Sequence, residues 1–289
     1  MNFIDNYKKS VIQKLLSHQE ILTVYCAGSN MPLVECGQDT FADRVYVFDS
    51  DEMLKKFATS IADKKLPLKG IKFLAKDKMT FFTMLLTCNI DEIIFMDPTG
   101  RHVIQLSDIV RKNDVSKLPI EKRPVENPQL KLCGAYFAQE ACRNVPQEEK
   151  HLKDMEEELS ANIAKATFIV PILLAEDGQK DLAGDGSSGS DGAEHAAAED
   201  PSGNKPQVRQ IRFPLVKTPK GDTFQPVFTD SFEFARYNKD KTCKAMAVPF
   251  LKLKALLAKE STGFMINPGG FHLVVTGQML KGLEQRFYQ

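Results

Sequence analysis

The chain repeats itself, because three short segments of its first half recur in the same order in its second half. Pro32-Leu33-Val34 recurs as Pro214-Leu215-Val216, Val47-Phe48-Asp49-Ser50 recurs as Val227-Phe228-Thr229-Asp230, and residues 96–100 recur at 266–270. Self-similarity assigns the same supersecondary unit to both places, so it constrains the fold more than any single motif. We therefore expect two divergent copies of one domain.

Hydrophobic periodicity predicts the same order of elements in both copies. Each has an amphipathic helix, a strand, a Pro-Leu-Val strand, a Val-Phe strand running into a capped helix, another helix, a hydrophobic strand, a Pro-containing turn, a strand and a final helix. This order predicts an α/β chain of the mixed α+β kind, in which two similar domains each have a small mixed sheet flanked by helices. We place the first domain at residues 1–112 and the second at 147–289.

The two predicted domains are joined by a proline-rich connector, residues 113–146, with some local structure expected at 132–142. The following helix is expected to begin at Pro146, since proline is favoured in the first helical turn, and to continue to about residue 163.

Residues 176–206 consist mainly of Gly, Ser, Ala, Asp and Glu. Such a segment buries too little apolar surface to offset the entropy of ordering it. In the repeat alignment it corresponds to the turn Gly28-Ser29-Asn30. We therefore predict a disordered acidic insertion in a hairpin of the second copy.

Composition argues against several classes of function. The 38 basic residues are balanced by 38 acidic ones and interleaved with them, so the sequence does not predict nucleic-acid binding. No apolar run approaches the 18 or so residues of a membrane-spanning helix, and residues 1–5 lack the features of a secretory signal, which together predict a cytoplasmic protein without a membrane role. The six cysteines show no metal-ligand spacing, so we expect free thiols, no metal and no cofactor.

The second copy resembles a known family. Three segments carry the resemblance: 211–216 (Ile-Arg-Phe-Pro-Leu-Val), 226–230 (Pro-Val-Phe-Thr-Asp) and 263–269 (Gly-Phe-Met-Ile-Asn-Pro-Gly). Over about residues 148–289 the chain is similar to the bacterial SseB protein N-terminal domain, the enhanced serine sensitivity family. The first copy matches less well, with Asp49 in place of the threonine and Asp97-Pro98-Thr99 in place of Asn-Pro-Gly. The resemblance implies a cytoplasmic protein and brings no established catalytic residues with it.

Two local patterns suggest binding sites, and each also has a structural interpretation. The acids of Asp49-Ser50-Asp51-Glu52 could bind a divalent cation, but helix capping explains them more simply. Asn267-Pro268-Gly269-Gly270 permits close approach of a partner to the backbone, although a tight β-turn is the favoured interpretation. His102 and His272 are expected in corresponding strands after the two proline turns.

No catalytic residue is predicted. The residues we expect at a ligand or partner site are Phe228, Thr229, Asp230, Asn267, Gly269 and His272.

The functional hypothesis from sequence is a non-enzymatic binding or regulatory protein that presents a groove or edge to an unknown protein or small-molecule partner. The alternative is a sensor or enzyme of amino-acid (serine) metabolism, with a cleft near His272, Thr229 and Asn267. A concave pocket with convergent polar groups would favour that alternative. A monomer or weak homodimer is expected, and pairing of the Pro-Leu-Val strands between chains would make the protein self-associating.

Overall fold

The structure is a computed structural model that describes residues 3–119, 122–174 and 211–289. The fold is of the mixed α+β class, with helices packed on mixed sheets. The first half contains α1 (Phe3–Ser17), β1 (Glu20–Cys26), β2 (Met31–Pro32), β3 (Val34–Cys36), β4 (Asp43–Phe48), α2 (Asp51–Ser60), β5 (Leu68–Leu74), α3 (Lys78–Thr87), β6 (Glu92–Asp97) and β7 (Gly100–Gln105). After α4 (Pro128–Ala141), the second half contains α5 (Leu152–Lys165), β8 (Thr167–Leu174), β9 (Ile211–Arg212), β10 (Val216–Lys217), β11 (Thr223–Val227), α6 (Ser231–Tyr237), β12 (Lys244–Pro249), α7 (Phe250–Leu253), β13 (Gly263–Ile266), β14 (Leu273–Thr276) and α8 (Gly277–Tyr288).

The first half forms one seven-stranded sheet around β1, β4 and β6. Strands β4 and β6 are parallel, and β7 pairs antiparallel with β6. Strand β1 pairs antiparallel with β4 and along its whole length with β5. Because β4 and β6 point the same way, their carboxyl ends meet at one edge of the sheet, where side chains from both can converge.

The second half pairs its strands in the same order. Strands β11 and β13 are parallel, β14 pairs antiparallel with β13, and β12 pairs antiparallel with β8. The link between β8 and β11 is reduced to one bridge, between Ile169 and Phe228. This half therefore has a four-stranded and a three-stranded sheet where the first half has one.

Strand register corrects the sequence alignment of the two halves by one residue. Phe48 pairs with Met96, whereas Val227 pairs with Ile266, so Phe228 is level with Asn267. If the two Val-Phe segments are matched, Met96 falls on Asn267 and not on Ile266 as the sequence suggested. The proline turns that follow differ in length, so the similarity of their sequences did not fix the register.

Helix α4 lies between the halves and is more than a connector with local structure. Leu130, Leu132 and Ala135 are buried, and α4 packs most closely against α5. One hydrophobic core contains side chains from the first sheet, from α4 and from the second half. The segment predicted as a connector thus supplies part of the shared core.

The structure differs from the sequence-based expectations at one helix and at two strands. The helix expected from Pro146 begins at Leu152, because Pro146 precedes only a short 3-10 turn at Gln147–Glu149. Strands β5 and β12 were not expected from the sequence. The acidic insertion at 176–206 lies outside the described residues.

None of the helices that the structure describes has the length and hydropathy needed to cross a lipid bilayer.

Candidate functional site

The residues expected at a site come together where the parallel strands β11 and β13 end. Phe228, Thr229 and Asp230 follow β11, and Asn267 follows β13. Asp230 caps helix α6, since its carboxylate accepts hydrogen bonds from the amides of Phe232 (2.8 Å) and Glu233 (3.0 Å). The capping interpretation of this segment is therefore confirmed, as it is for Ser50 ahead of α2.

Thr229, Asp230 and Asn267 form a closed hydrogen-bond network. The Thr229 amide donates to Asn267 Oδ1 (3.0 Å), and Asn267 Nδ2 donates to Thr229 Oγ1 (2.8 Å). Thr229 Oγ1 in turn donates to Asp230 Oδ2 (3.0 Å). Asn267 adopts φ +48°, a left-handed conformation that asparagine tolerates better than most residues. All three side chains are buried, so the network satisfies polar groups in the interior of the protein.

A lysine from α4 completes this network. Lys131 is fully buried, and its Nζ lies 2.9 Å from Asp230 Oδ2, 3.9 Å from Glu233 Oε1 and 2.8 Å from the Thr87 hydroxyl at the end of α3. Burial by itself lowers the pKa of Lys131, but Cys88 and the two carboxylates outweigh it and raise the pKa above its ordinary value. Lys131 therefore remains charged and joins the two halves electrostatically.

Glu233 has fewer hydrogen-bond partners than Asp230. Burial raises its pKa, and the opposing effects of Lys131 and Arg236 only partly offset the burial. Its Oε2 makes no hydrogen bond with the residues that the structure describes. Gly270 lies so close that an added Cβ would be 3.0 Å from this oxygen, so a larger residue there would require the Glu233 side chain to shift.

The remaining predicted residues surround the network. Phe228 is fully buried and packs against the rings of Phe234 and Tyr237, with centroids 5.6 and 5.1 Å away. The exposed Gly269 accepts hydrogen bonds at its carbonyl from Asn30 of the first half and from Arg236, each at 2.7 Å. His272 is exposed and lies in the turn before β14, at φ +38°. His102, by contrast, lies within β7, so the expectation of corresponding strand positions was wrong.

The first half has its own lysine and carboxylate cluster at the end of β6. The Asp97 carboxylate accepts hydrogen bonds from Lys14 Nζ (2.5 Å) and from the Thr99 hydroxyl (2.5 Å). It also accepts from the amides of Thr99 (2.7 Å) and Gly100 (3.1 Å), and His102 Nε2 lies 3.1 Å away. Burial raises the pKa of Asp97, but these hydrogen bonds outweigh it and hold the pKa well below its ordinary value. A polar cavity of about 370 Å³ opens beside Asp97 and Ser50.

A second cavity, which the sequence did not indicate, has a mainly apolar floor. It measures about 300 Å³ and lies between the first half and the carboxyl end of α4. Its apolar lining consists of Leu33, Val34, Phe57, Ile61, Leu66 and Met155. Gln139 fixes α4 against the edge of β3, because its side-chain amide exchanges hydrogen bonds with the Val34 backbone at 2.7 and 3.0 Å. We call this cavity the α4 pocket.

The rim of the α4 pocket contains two ion pairs. Lys64 Nζ lies 2.8 Å from Glu35 Oε1, and Arg143 Nη1 lies 2.8 Å from Glu140 Oε1. Burial raises the pKa of Glu35, but hydrogen bonds from Lys64 and Tyr46 hold it below its ordinary value. Glu140 behaves similarly, because the His151 amide and Arg143 outweigh the effect of burial on its pKa. Both carboxylates are therefore ionised at neutral pH, and each is paired with one basic residue.

One rim pair keeps unused hydrogen-bonding capacity. Glu140 uses Oε1 for both Arg143 and the His151 amide, and Arg143 uses Nη1 for Glu140 and Nε for the Lys64 carbonyl. Glu140 Oε2 and Arg143 Nη2 make no hydrogen bonds with the described part of the chain. Two residues that line the α4 pocket thus keep one unused acceptor and one unused donor of opposite charge.

Within the described residues, no group of three His, Cys, Asp or Glu side chains is placed to bind a metal ion. At Asp49-Ser50-Asp51-Glu52, the Ser50 hydroxyl donates to Asp49 Oδ1 (2.8 Å) and accepts from the Met53 amide (3.4 Å). This segment therefore serves as a helix cap.

Comparison with known proteins gives one match. Residues 145–281 match the family model described as the SseB protein N-terminal domain. The search of curated proteins and the search of solved structures found no match. The second half of this chain, including the buried Thr229, Asp230 and Asn267 network, is therefore similar to the SseB protein N-terminal domain.

Proposed function

We propose that this protein is a non-enzymatic binding protein whose α4 pocket takes a small zwitterionic molecule with an apolar body. The observation that carries the proposal is the apolar floor of the α4 pocket beneath a rim with equal numbers of positive and negative groups. Small-molecule sites are mostly apolar concavities with a few polar groups that fix orientation. The cavity beside Asp97 is lined mainly by polar and charged residues and fits that description less well.

The size of the α4 pocket supports a ligand as small as an amino acid. Its volume of about 300 Å³ is at the lower end of the range for ligand sites. The floor residues Phe57, Ile61 and Leu66 offer apolar contact to a branched or aromatic side chain. A ligand with such a body gains the free energy of removing apolar surface from water.

The charges of Glu140 and Arg143 determine which polar groups the ligand should carry. An ammonium group beside Glu140 Oε2 and a carboxylate beside Arg143 Nη2 would each gain a charge-assisted hydrogen bond. A ligand with only one charge would use only one of these two unused atoms. The neutral sum of the rim also gives no advantage to an anion or a cation as such.

The test is isothermal titration of the full chain with leucine and two relatives that each lack one charge, isoamylamine and 4-methylpentanoate. Leucine should bind, and each relative should bind about tenfold or more weakly, because each loses a hydrogen bond to a charged group. Serine, which lacks the apolar body, serves as the control and should also bind more weakly. Equal affinity for leucine and 4-methylpentanoate would contradict recognition of a zwitterion.

The competing hypothesis is a sensor or enzyme site at Thr229, Asn267 and His272. Thr229 and Asn267 bond to each other and are fully buried, while His272 lies on the surface with its Nδ1 3.2 Å from the Gly270 carbonyl. We propose that the predicted site residues of the second half hold the two halves together. This assignment leaves the α4 pocket as the place for a ligand.

We also propose that the two halves are divergent copies of one SseB-like domain. The shared order of strand pairing and the recurring segments support this proposal. The one-residue difference in register and the single bridge between β8 and β11 measure how far the copies have diverged.

A further inference from the structure

We infer that Cys26 and Cys142 form a reversible disulfide that fastens the end of α4 to strand β1. Their sulfur atoms lie 2.7 Å apart. Nonbonded carbon atoms pack best at about 3.5–4.0 Å, and sulfur is larger, so this separation is well inside ordinary contact. A disulfide of about 2.05 Å requires the sulfur atoms to approach by only about 0.7 Å more.

The backbone around the pair is arranged for this close approach. Cys26 is the last residue of β1, and Cys142 caps the end of α4. A Cβ on Gly28 would lie 2.5 Å from the Cys142 Cβ, so a larger residue at position 28 would push the helix end away. Among the six cysteines, all within the described residues, this is the only pair whose sulfur atoms are in contact.

The oxidant is a small-molecule disulfide, of which oxidised glutathione is the simplest example. Cys142 is partly exposed and Cys26 is fully buried, so Cys142 reacts first. Its thiolate attacks the small disulfide, forms a mixed disulfide and releases one thiolate. Cys26 then loses its proton and attacks the Cys142 sulfur, which releases the second thiolate. In sum, two protein thiols lose two electrons and two protons, and one small disulfide becomes two thiols.

The surroundings of the Cys142 thiol control how fast the disulfide forms. Burial, followed by the neighbouring Cys26, raises the pKa of Cys142 to about 12. Since the thiolate is the nucleophile, the reduced pair is persistent at neutral pH and reacts faster as the pH rises. The residues at this end of α4 include Glu140 and Arg143, so the disulfide also fixes one side of the α4 pocket.

The test is peptide mapping of the reduced full chain after incubation with oxidised glutathione at pH 8.5. We expect a linked peptide pair containing Cys26 and Cys142, with the mass reduced by two hydrogens, and release of two glutathione molecules. The disulfide closes a loop of 116 residues, so the wild-type melting temperature should rise by about 5–10 °C on oxidation. Cys142→Ser should abolish that rise, whereas Cys243→Ser should retain it.

The inference is overturned if Cys142 ends as a stable mixed disulfide with glutathione while Cys26 remains a thiol. It is equally overturned if either residue links to Cys36, Cys88, Cys133 or Cys243. The wild-type peptide map decides between these outcomes even where a serine variant fails to fold.

Discussion

The two halves use the same chemistry, a lysine on carboxylates at the end of a parallel strand pair, but the two lysines differ in exposure. The Lys14 side chain is 43% exposed and meets Asp97, whose side chain is fully buried, beside an open polar cavity. Lys131 meets Asp230 and Glu233 with all three side chains no more than 2% exposed. Water screens an ion pair that is open on one side, whereas a fully buried pair is very costly to break. We therefore expect the loss of Lys14 to cost less stability than the loss of Lys131.

The largest effect should follow from Lys131→Met. This substitution keeps the apolar stem but leaves the buried Asp230 without its cation and Glu233 with Arg236 alone, so the free energy of unfolding should fall by about 3–5 kcal/mol. Urea denaturation measures it, and Lys14→Met is the matched control in the half-exposed cluster, where Asp97 keeps its other hydrogen bonds, with a smaller expected loss of about 1 kcal/mol. Equal losses for the two variants would remove the distinction between the clusters.

Asn267→Asp should have the next largest effect. At neutral pH the new carboxylate cannot donate to Thr229 Oγ1 and adds a charge beside Asp230, which should cost about 2–4 kcal/mol. Because a protonated aspartic acid can donate, the cost should shrink as the pH falls. Denaturation at pH 7 and pH 5 checks this trend, and a loss that does not depend on pH would indicate a steric cause instead.

Asp97→Asn is the opposite substitution in the half-exposed cluster and should cost about 1–2 kcal/mol at pH 7. The folded state lowers the pKa of Asp97 below its ordinary value of 3.8, so the stabilisation is present above pH 3.8 and is lost as the pH falls through the folded pKa. Wild type and variant should therefore converge in acid. A constant difference down to pH 2 would contradict the assignment of the charge.

Glu233→Gln should change stability by about 1 kcal/mol or less, because Lys131 keeps Asp230 as a partner. The contribution of Glu233 to stability changes with pH in the opposite direction to that of Asp97. The folded state raises the pKa of Glu233 above its ordinary value of 4.5, so its contribution is present below pH 4.5 and is lost as the pH rises through the folded pKa. Relative to wild type, the variant should gain stability between pH 4 and pH 7, and a loss over that range would show that ionised Glu233 stabilises the fold.

Local sequence signals predicted many elements correctly. Short runs rich in β-branched, aromatic and other apolar residues indicated the strands β1, β4, β6 and β8, and capping chemistry indicated the starts of α2 and α6. These features depend on a few neighbouring residues. Strand β5 was missed because it is partly exposed along its length and contains Gly70 and two lysines, so it lacks a clear buried face.

The functional geometry was less predictable, since it depends on contacts between distant segments. Lys131 looks like an ordinary surface residue in the sequence, yet its partners are about 100 residues away. The α4 pocket combines side chains from β3, α2 and α4 without a local motif. Asn267 was singled out correctly for its positive φ, but only the structure revealed that its side chain is buried.

The most direct test of the account is leucine titration of two matched arginine variants of the full chain. Arg143 and Arg236 each pair with a glutamate three residues earlier, the first at the α4 pocket and the second beside the buried network. We expect Arg143→Met to weaken leucine binding about tenfold or more and Arg236→Met to leave it unchanged. Loss of binding in Arg236→Met with full binding in Arg143→Met would contradict the account and return the ligand site to Asn267 and His272.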